Sequence, residues 1–210
     1  MDIIKSLEWR YACKKFDENK KVTDAQLEII RNAFNLTATS FGLQPVKLLI
    51  ISNKKIKDSI LEHAYYQQQV VTCSHLLALC IDTKIDLSVI DAHFDLVKSV
   101  RNVSEEIIGK FRAELKGIYN NYSEEEIETS AVQQAYIILG NLMTVCAVEK
   151  IDSCPMEGFN AKKIDEILQL KEKNLKSVLL LPIGYRATDD IMSKHKKVRK
   201  PIKDIVINID

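Results

Sequence analysis

The sequence predicts an α/β or α+β layered fold: one domain over residues 1–210, with helices covering a small sheet. Three observations predict it. Amphipathic segments of helical period are interleaved with three or four short apolar runs of strand length. No hairpin turn joins any two of those runs, so each must enter the sheet by way of a helix or a loop. Six Gly and four Pro leave few breakers in 210 residues, and no repeat, low-complexity tract or Pro/Gly linker divides the chain.

The elements follow in order. Ile3, Ile4, Leu7 and Trp9 mark a short amphipathic helix over 2–10. Thr23-Asp24-Ala25-Gln26 reads as a capping box that opens a helix to about Asn35, with Leu27, Ile30 and Phe34 on its apolar stripe. The polar stretch 37–45, TATSFGLQP, is a loop closed by Pro45. Val46–Ser52 reads as a buried strand, Lys54–His63 as a helix and His75–Asp82 as a second apolar strand. Residues 86–120 read as helical and amphipathic. Ser123 opens a second capping box, and its helix runs to about Glu149. That helix is apolar on most faces, as the central helix of a core must be. Ile151–Cys154 is a short extended piece, Asn160 caps a helix over 161–169, and Ser177–Tyr185 is a third strand. The last ten residues, PIKDIVINID, alternate Ile205 and Ile207 with polar positions. A strand of that kind has two places to pair: an edge of its own sheet or that of a partner subunit.

Composition excludes several classes. Thirty basic and 29 acidic side chains give a net charge of +1, so nothing draws the whole chain to nucleic acid or an anionic membrane, and any anion site must be local. No apolar run of about 20 residues suggests a membrane span. The N-terminus lacks the apolar core of a signal peptide, which points to the cytoplasm. Cys13, Cys73, Cys80, Cys146 and Cys154 are odd in number and form no C-x-x-C pair, so they read as reduced thiols rather than a disulfide framework. His63, His75, His93 and His195 have no metal-ligand spacing. His75 reads as a structural histidine and Trp9 as a packing residue. Cys13 lies between cations that lower a thiol's pKa, although a quiet packing role is the plainer reading.

Two basic clusters stand far apart: Arg10-Tyr11-Ala12-Cys13-Lys14-Lys15-Phe16-Asp17, and Lys194-His195-Lys196-Lys197-Val198-Arg199-Lys200, the second also resembling a weak nucleic-acid patch that no aromatic interleaving or binding motif supports. In a near-neutral chain such clusters can converge on one phosphate, Arg as a planar fork and Lys as a point charge. Either one alone reads as a solvated surface. No G-x-G-x-x-G and no P-loop occurs, so any nucleotide must be held by side chains and loops. Pro155-Met156-Glu157-Gly158-Phe159 is a stiff turn whose Gly allows close approach of a flat ligand; as a local pattern it is equally a plain turn.

Taken in order and at this spacing, R-Y-x-x-K-K-F-D, the loop ending in Gln44-Pro45, the P-M-E-G-F turn and the late Lys197-x-Arg199 resemble the FMN-dependent nitroreductase family. The likeness is to its NAD(P)H-dependent, oxygen-insensitive branch, close to dihydropteridine reductases, and it covers almost the whole chain. The resemblance implies FMN as cofactor, and NADH or NADPH as donor. It also implies ping-pong hydride transfer through flavin N5 to nitroaromatics, quinones or similar electron-poor acceptors. Alternatives on the same fold are a flavin, enone or dihydropteridine reductase, or a flavin-binding protein without turnover.

The resemblance further implies an α+β (α/β layered) fold with a helix-covered small mixed sheet, and a homodimer with shared active sites, the C-terminal strand crossing to the partner. Arg10, Lys197 and Arg199 then hold the phosphate, with Tyr11 and Ala12 beside them. Lys14 and Gln69 face the flavin's pyrimidine edge, and Tyr66 lies near the ribityl chain. Pro155, Met156, Glu157 and Gly158 face N5, while Thr39, Ser40 and Gly42 come from the other subunit. No side chain acts as a catalytic nucleophile. Phe111 and Arg112, in a lid over 86–125, are candidates for substrate contact. Ala12, Gly42 and Tyr66 depart from the commonest residues at their positions, at about 1 kcal/mol for each hydrogen bond lost.

Overall fold

The computed structural model describes residues 2–209. In chain order its elements are α1 (Ile3–Trp9), α2 (Asp24–Leu36), β1 (Val46–Ile51), α3 (Lys54–Leu61), α4 (Gln69–Thr72), β2 (His75–Asp82), α5 (Leu87–Arg101), α6 (Glu105–Asn121), α7 (Glu124–Val148), β3 (Asp152–Ser153), α8 (Ala161–Ile167) and β4 (Leu175–Gly184). The four strands form one sheet in the order β1-β2-β4-β3, with antiparallel ladders throughout. The parallel contribution is a single bridge between Ala12 and Ser153. The expected α+β layering is present.

β2 explains the layers. Its side chains alternate between faces: Leu77, Leu79 and Ile81 enter one core with α7, whereas Leu76, Ala78 and Cys80 enter a second core with Ile60 of α3 and Ile164 of α8. A strand buried on both faces must be apolar at every position, hence the unbroken run LLALCI. On α7, Ala131, Ala135, Ile138, Leu142 and Cys146 form the stripe against the sheet. The opposite side exposes Tyr136 and Ile137. Both capping boxes form, at Thr23 with Gln26 and at Ser123 with Glu126.

Several expectations are corrected. The helical stretch 86–120 is two helices, because Asn102 turns left-handed (φ 51°) and ends α5. Gln169, left-handed, shortens α8, whereas the helix begun at Lys54 runs on as a 3-10 turn to Ala64, close to the expected end at His63, before left-handed Tyr65 and Tyr66. The helix α4 has no counterpart in the sequence reading. By length and composition α7 is long and apolar enough to cross a membrane, contrary to the expectation of no such run; here its apolar stripe packs on the sheet. Among the described residues the tail adds no strand to its own sheet. It makes one 3-10 turn at Ile202–Asp204 and leaves Ile205, Val206, Ile207 and Ile209 exposed.

Gly184, the last residue of β4, lies where the chain near Phe16 crosses it. A Cβ there meets Phe16 Cδ1 at 3.0 Å and the Ser74 backbone nitrogen at 3.1 Å. Gly184→Ala is expected to destabilise the fold by about 1–3 kcal/mol through overpacking. The readout is a lower urea midpoint at unchanged m-value.

Candidate functional site

The site begins where α1 ends. Arg10 leaves the helix with extended backbone (φ −71°, ψ 146°), and residues 12–13 then run along β3, with Cys13 N donating to Ser153 O at 3.2 Å. Arg186, just past β4, props this segment. Its guanidinium lies between the rings of Trp9 (4.3 Å) and Tyr11 (4.5 Å) and donates to the buried Asp152 carboxylate at 2.6 and 2.9 Å. Trp9 thus packs as expected, and Lys150 sits over its ring at 4.9 Å.

Residues 10–12 and the segment from Met192 to Arg199 enclose a cleft of about 390 Å³. Lys197 Nζ donates to the Arg10 carbonyl, 187 positions away in the chain. The cations feel one another. Burial and then the neighbouring Arg199 lower the Arg10 pKa, while burial, Arg10 and Arg199 lower that of Lys197. Arg10 Nε is buried with no hydrogen-bond partner. The lining carries Arg10, Lys196, Lys197 and Arg199, with Arg186 held by Asp152, against the single carboxylate of Glu8, an excess of donors and positive charge that suits an anion that is all acceptor, such as a phosphate.

From this cleft the site continues along the protein. Lys14 Nζ and Gln69 Nε2 both point at Cys154 Sγ, at 3.4 and 3.8 Å. Gln69 also donates to Gln67 Oε1 at 3.0 Å, and Gln67 donates to the Gly158 carbonyl at 2.8 Å. Met156 is buried by its pairing with Leu180, and Pro155 is half-buried, so the turn presents Glu157 and Gly158 outward. Tyr136 Oη donates to Glu157 Oε1 at 2.6 Å.

A model of the family described as "Nitroreductase family" matches residues 7–185. The chain belongs to the nitroreductase family. Its relatives include the "Putative NAD(P)H nitroreductase YfkO" of Bacillus subtilis (strain 168), 29% identical over 218 residues, covering 97% of this chain and 96% of that protein. The "Oxygen-insensitive NADPH nitroreductase" of Helicobacter pylori (strain J99) is 26% identical over 197 residues, covering 94% and 91%. A crystal structure of a "putative nitroreductase in complex with FMN" from Exiguobacterium sibiricum superposes with a TM-score of 0.85 at 23% identity, covering 100% of this chain and 98% of that one. That likeness establishes a nitroreductase fold.

Within this nitroreductase the predicted residues fall into three groups. Arg10, Tyr11, Ala12, Lys197 and Arg199 share the cleft, and Lys14, Gln69 and the 155–158 turn, outside its lining, are linked to one another through Cys154 and Gln67. Thr39, Ser40 and Gly42 lie elsewhere: Ser40 N donates to Gln134 Oε1 at 2.8 Å, and a Cβ on Gly42 (φ +73°) meets His93 at 3.1 Å. Tyr66 is exposed and left-handed (φ 57°), a backbone state that Asn tolerates better than Tyr. In the third group, Arg112 is held by Asp91, Asp95 and Glu105 at 2.8–3.4 Å, which ties α5 to α6. Phe111 packs edge-on against Phe94 at 5.5 Å and tilts toward Phe41 at 6.4 Å. This geometry gives Arg112 a structural post. Burial pushes the Cys13 thiol up, opposite to the lowering by cations considered from sequence, so Cys13 is a packing residue. His75 is structural, its Nδ1 2.9 Å from Ser74 Oγ.

Sequence reasoning missed Arg186, Asp152, Cys154 and Asp190. The one signal available was the Asp189-Asp190 pair just ahead of the basic run.

Proposed function

We propose that this nitroreductase-family chain is an FMN-dependent oxidoreductase that takes hydride from NADH or NADPH and delivers it to nitroaromatics, quinones or similar electron-poor acceptors. The observation that carries this reading is the cleft of Arg10, Lys197 and Arg199 with its unmatched Arg10 Nε. A flavin mononucleotide ends in a phosphate dianion, which matches that donor set. The protein's part is binding and electrostatics, and bound FMN supplies the redox chemistry. Arg10, Lys197 and Arg199 would anchor the phosphate. Lys14 and Gln69 would hold the pyrimidine edge, where a cation favours the charge that reduction brings. The stiff 155–158 turn would keep backbone, rather than a bulky side chain, against the ring. Five buried free thiols fit a reducing, cytoplasmic setting.

The reading includes a homodimer with shared sites. Ser40 touches α7 through Gln134 and Glu157 touches it through Tyr136, two residues on, which is roughly 200° around the helix. Within one chain, therefore, the Thr39–Gly42 loop and the 155–158 turn lie on opposite sides of α7. A second copy can bring its loop to the first copy's turn. Exposed Tyr136 and Ile137, with the apolar tail, supply surface for that contact.

The test is the absorption spectrum of the purified protein supplied with FMN, followed by anaerobic titration with each nicotinamide. Flavin bands that bleach with NADH or NADPH are expected. A colourless protein that takes up no FMN overturns the cofactor reading. Bound FMN that neither donor bleaches overturns the catalytic one.

A further inference from the structure

We propose that Asp190 is a positioning residue of the anion cleft, a buried carboxylate that locks the two halves of the phosphate site into register. The inference rests on the FMN reading for the identity of the ligand, but its geometry is independent of it. Asp190 is 2% exposed, and every described residue after it, 191–209, is exposed. It is therefore the last point at which the chain is anchored before the segment that carries Lys197 and Arg199.

Its two oxygens serve both sides of the cleft. Oδ2 accepts from Tyr11 Oη at 2.9 Å and from Lys14 N at 3.1 Å, gripping the segment that begins at Arg10. Oδ1 accepts from Met192 N at 3.1 Å and so caps the 3-10 turn Ile191–Lys194 that aims the late basic run. Residues 15–17 are already tied to 185–187 through backbone bonds, Ala187 N to Lys15 O at 3.0 Å and Asp17 N to Tyr185 O at 2.8 Å, and by the ion pair of Lys15 with Asp189. Those bonds fix the base of the arrangement. Beyond them, among the described residues, the hydrogen bonds tying 191–209 to the body are those to Asp190 and the one from Lys197 Nζ to the Arg10 carbonyl.

Three donors converging on one buried group require an acceptor without a competing hydrogen, which an ionised carboxylate is and an amide is not. Burial alone raises a carboxyl pKa, yet the donors from Met192, Lys14 and Tyr11 hold that of Asp190 below the usual range. The group is thus ionised while it orients the cations, and it is not itself part of their cleft lining.

The test compares two ligands that differ only in the phosphate. Dissociation constants for FMN and riboflavin are measured by flavin fluorescence on the full chain, for wild type, Asp190→Asn and Tyr11→Phe, with thermal melts of each. Asp190→Asn keeps the volume but turns an N–H toward a donor. It is expected to weaken FMN by about tenfold or more while leaving riboflavin within about threefold. Inorganic phosphate should then compete with FMN less well than in wild type. Tyr11→Phe removes a single bond and should shift the FMN-to-riboflavin ratio in the same direction by less, which keeps the inference testable if Asp190→Asn folds poorly. A ratio unchanged in both variants overturns the proposal, as does an equal loss of both ligands, which marks general structural support. Wild-type protein that binds no FMN defeats the cofactor reading instead, and that result is visible before any variant is made.

Discussion

Arg10→Ala weakens FMN binding by about ten- to a hundredfold. The estimate follows from the roughly 1.5–3 kcal/mol carried by a hydrogen bond to a charged group, at 1.4 kcal/mol per tenfold. Arg10 lines the cleft and its buried Nε has no hydrogen-bond partner within the protein, so a planar guanidinium with unspent donor capacity stands where a phosphate would bind. Lys197 and Arg199 remain in the variant and keep some attraction. Lys197 also gains from the loss, because Arg10 is one cause of its lowered pKa. Arg10→Lys restores charge but not the fork and should recover only part of the affinity. Fluorescence titrations at low and high salt check this, since a phosphate anchor weakens with ionic strength. An FMN affinity in Arg10→Ala within twofold or so of wild type at both salts would remove the phosphate from this cleft.

Asp152→Ala lowers global stability by about 3–5 kcal/mol, the range for breaking a buried ion pair from one side. Asp152 is 3% exposed. Its carboxylate accepts from Arg186 Nε, Nη2 and the Arg186 backbone N at 2.6–3.1 Å. Alanine leaves all three donors without their acceptor. The Arg186 side chain is 28% exposed, so water relieves part of the loss and the lower end of the range is expected. Asp152→Asn keeps an acceptor oxygen and should cost less. Urea unfolding measures the stability, and the fluorescence of the single tryptophan, stacked on Arg186, reports the prop itself. A loss under about 1 kcal/mol would mean that the aromatic stack holds Arg186 unaided.

The first expectation rests on a residue the motifs named, Arg10; the second rests on Asp152 and Arg186, which no motif announced. The capping boxes at Thr23 and Ser123 were legible because each is a bond between residues three apart, and the strand at 75–82 because burial on both faces makes its run apolar throughout. The break at Asn102 was not legible, since the amphipathic pattern continues across it while the backbone reverses. The three carboxylates that hold Arg112 were not legible either, because they lie on two helices whose pairing no local pattern announces.

The sequence by itself determined the layered fold, the capped starts of α2 and α7 and the ordered motifs that mark a nitroreductase, for these depend on short-range periodicity and on residue types at fixed spacing. Only the tertiary structure decided that Arg10 meets Lys197, that Asp152 props Arg186 and that Asp190 joins Tyr11 to the late basic run. Those contacts span 34 to 187 positions. Bonds over such separations exist only once the path of the chain has brought their partners together.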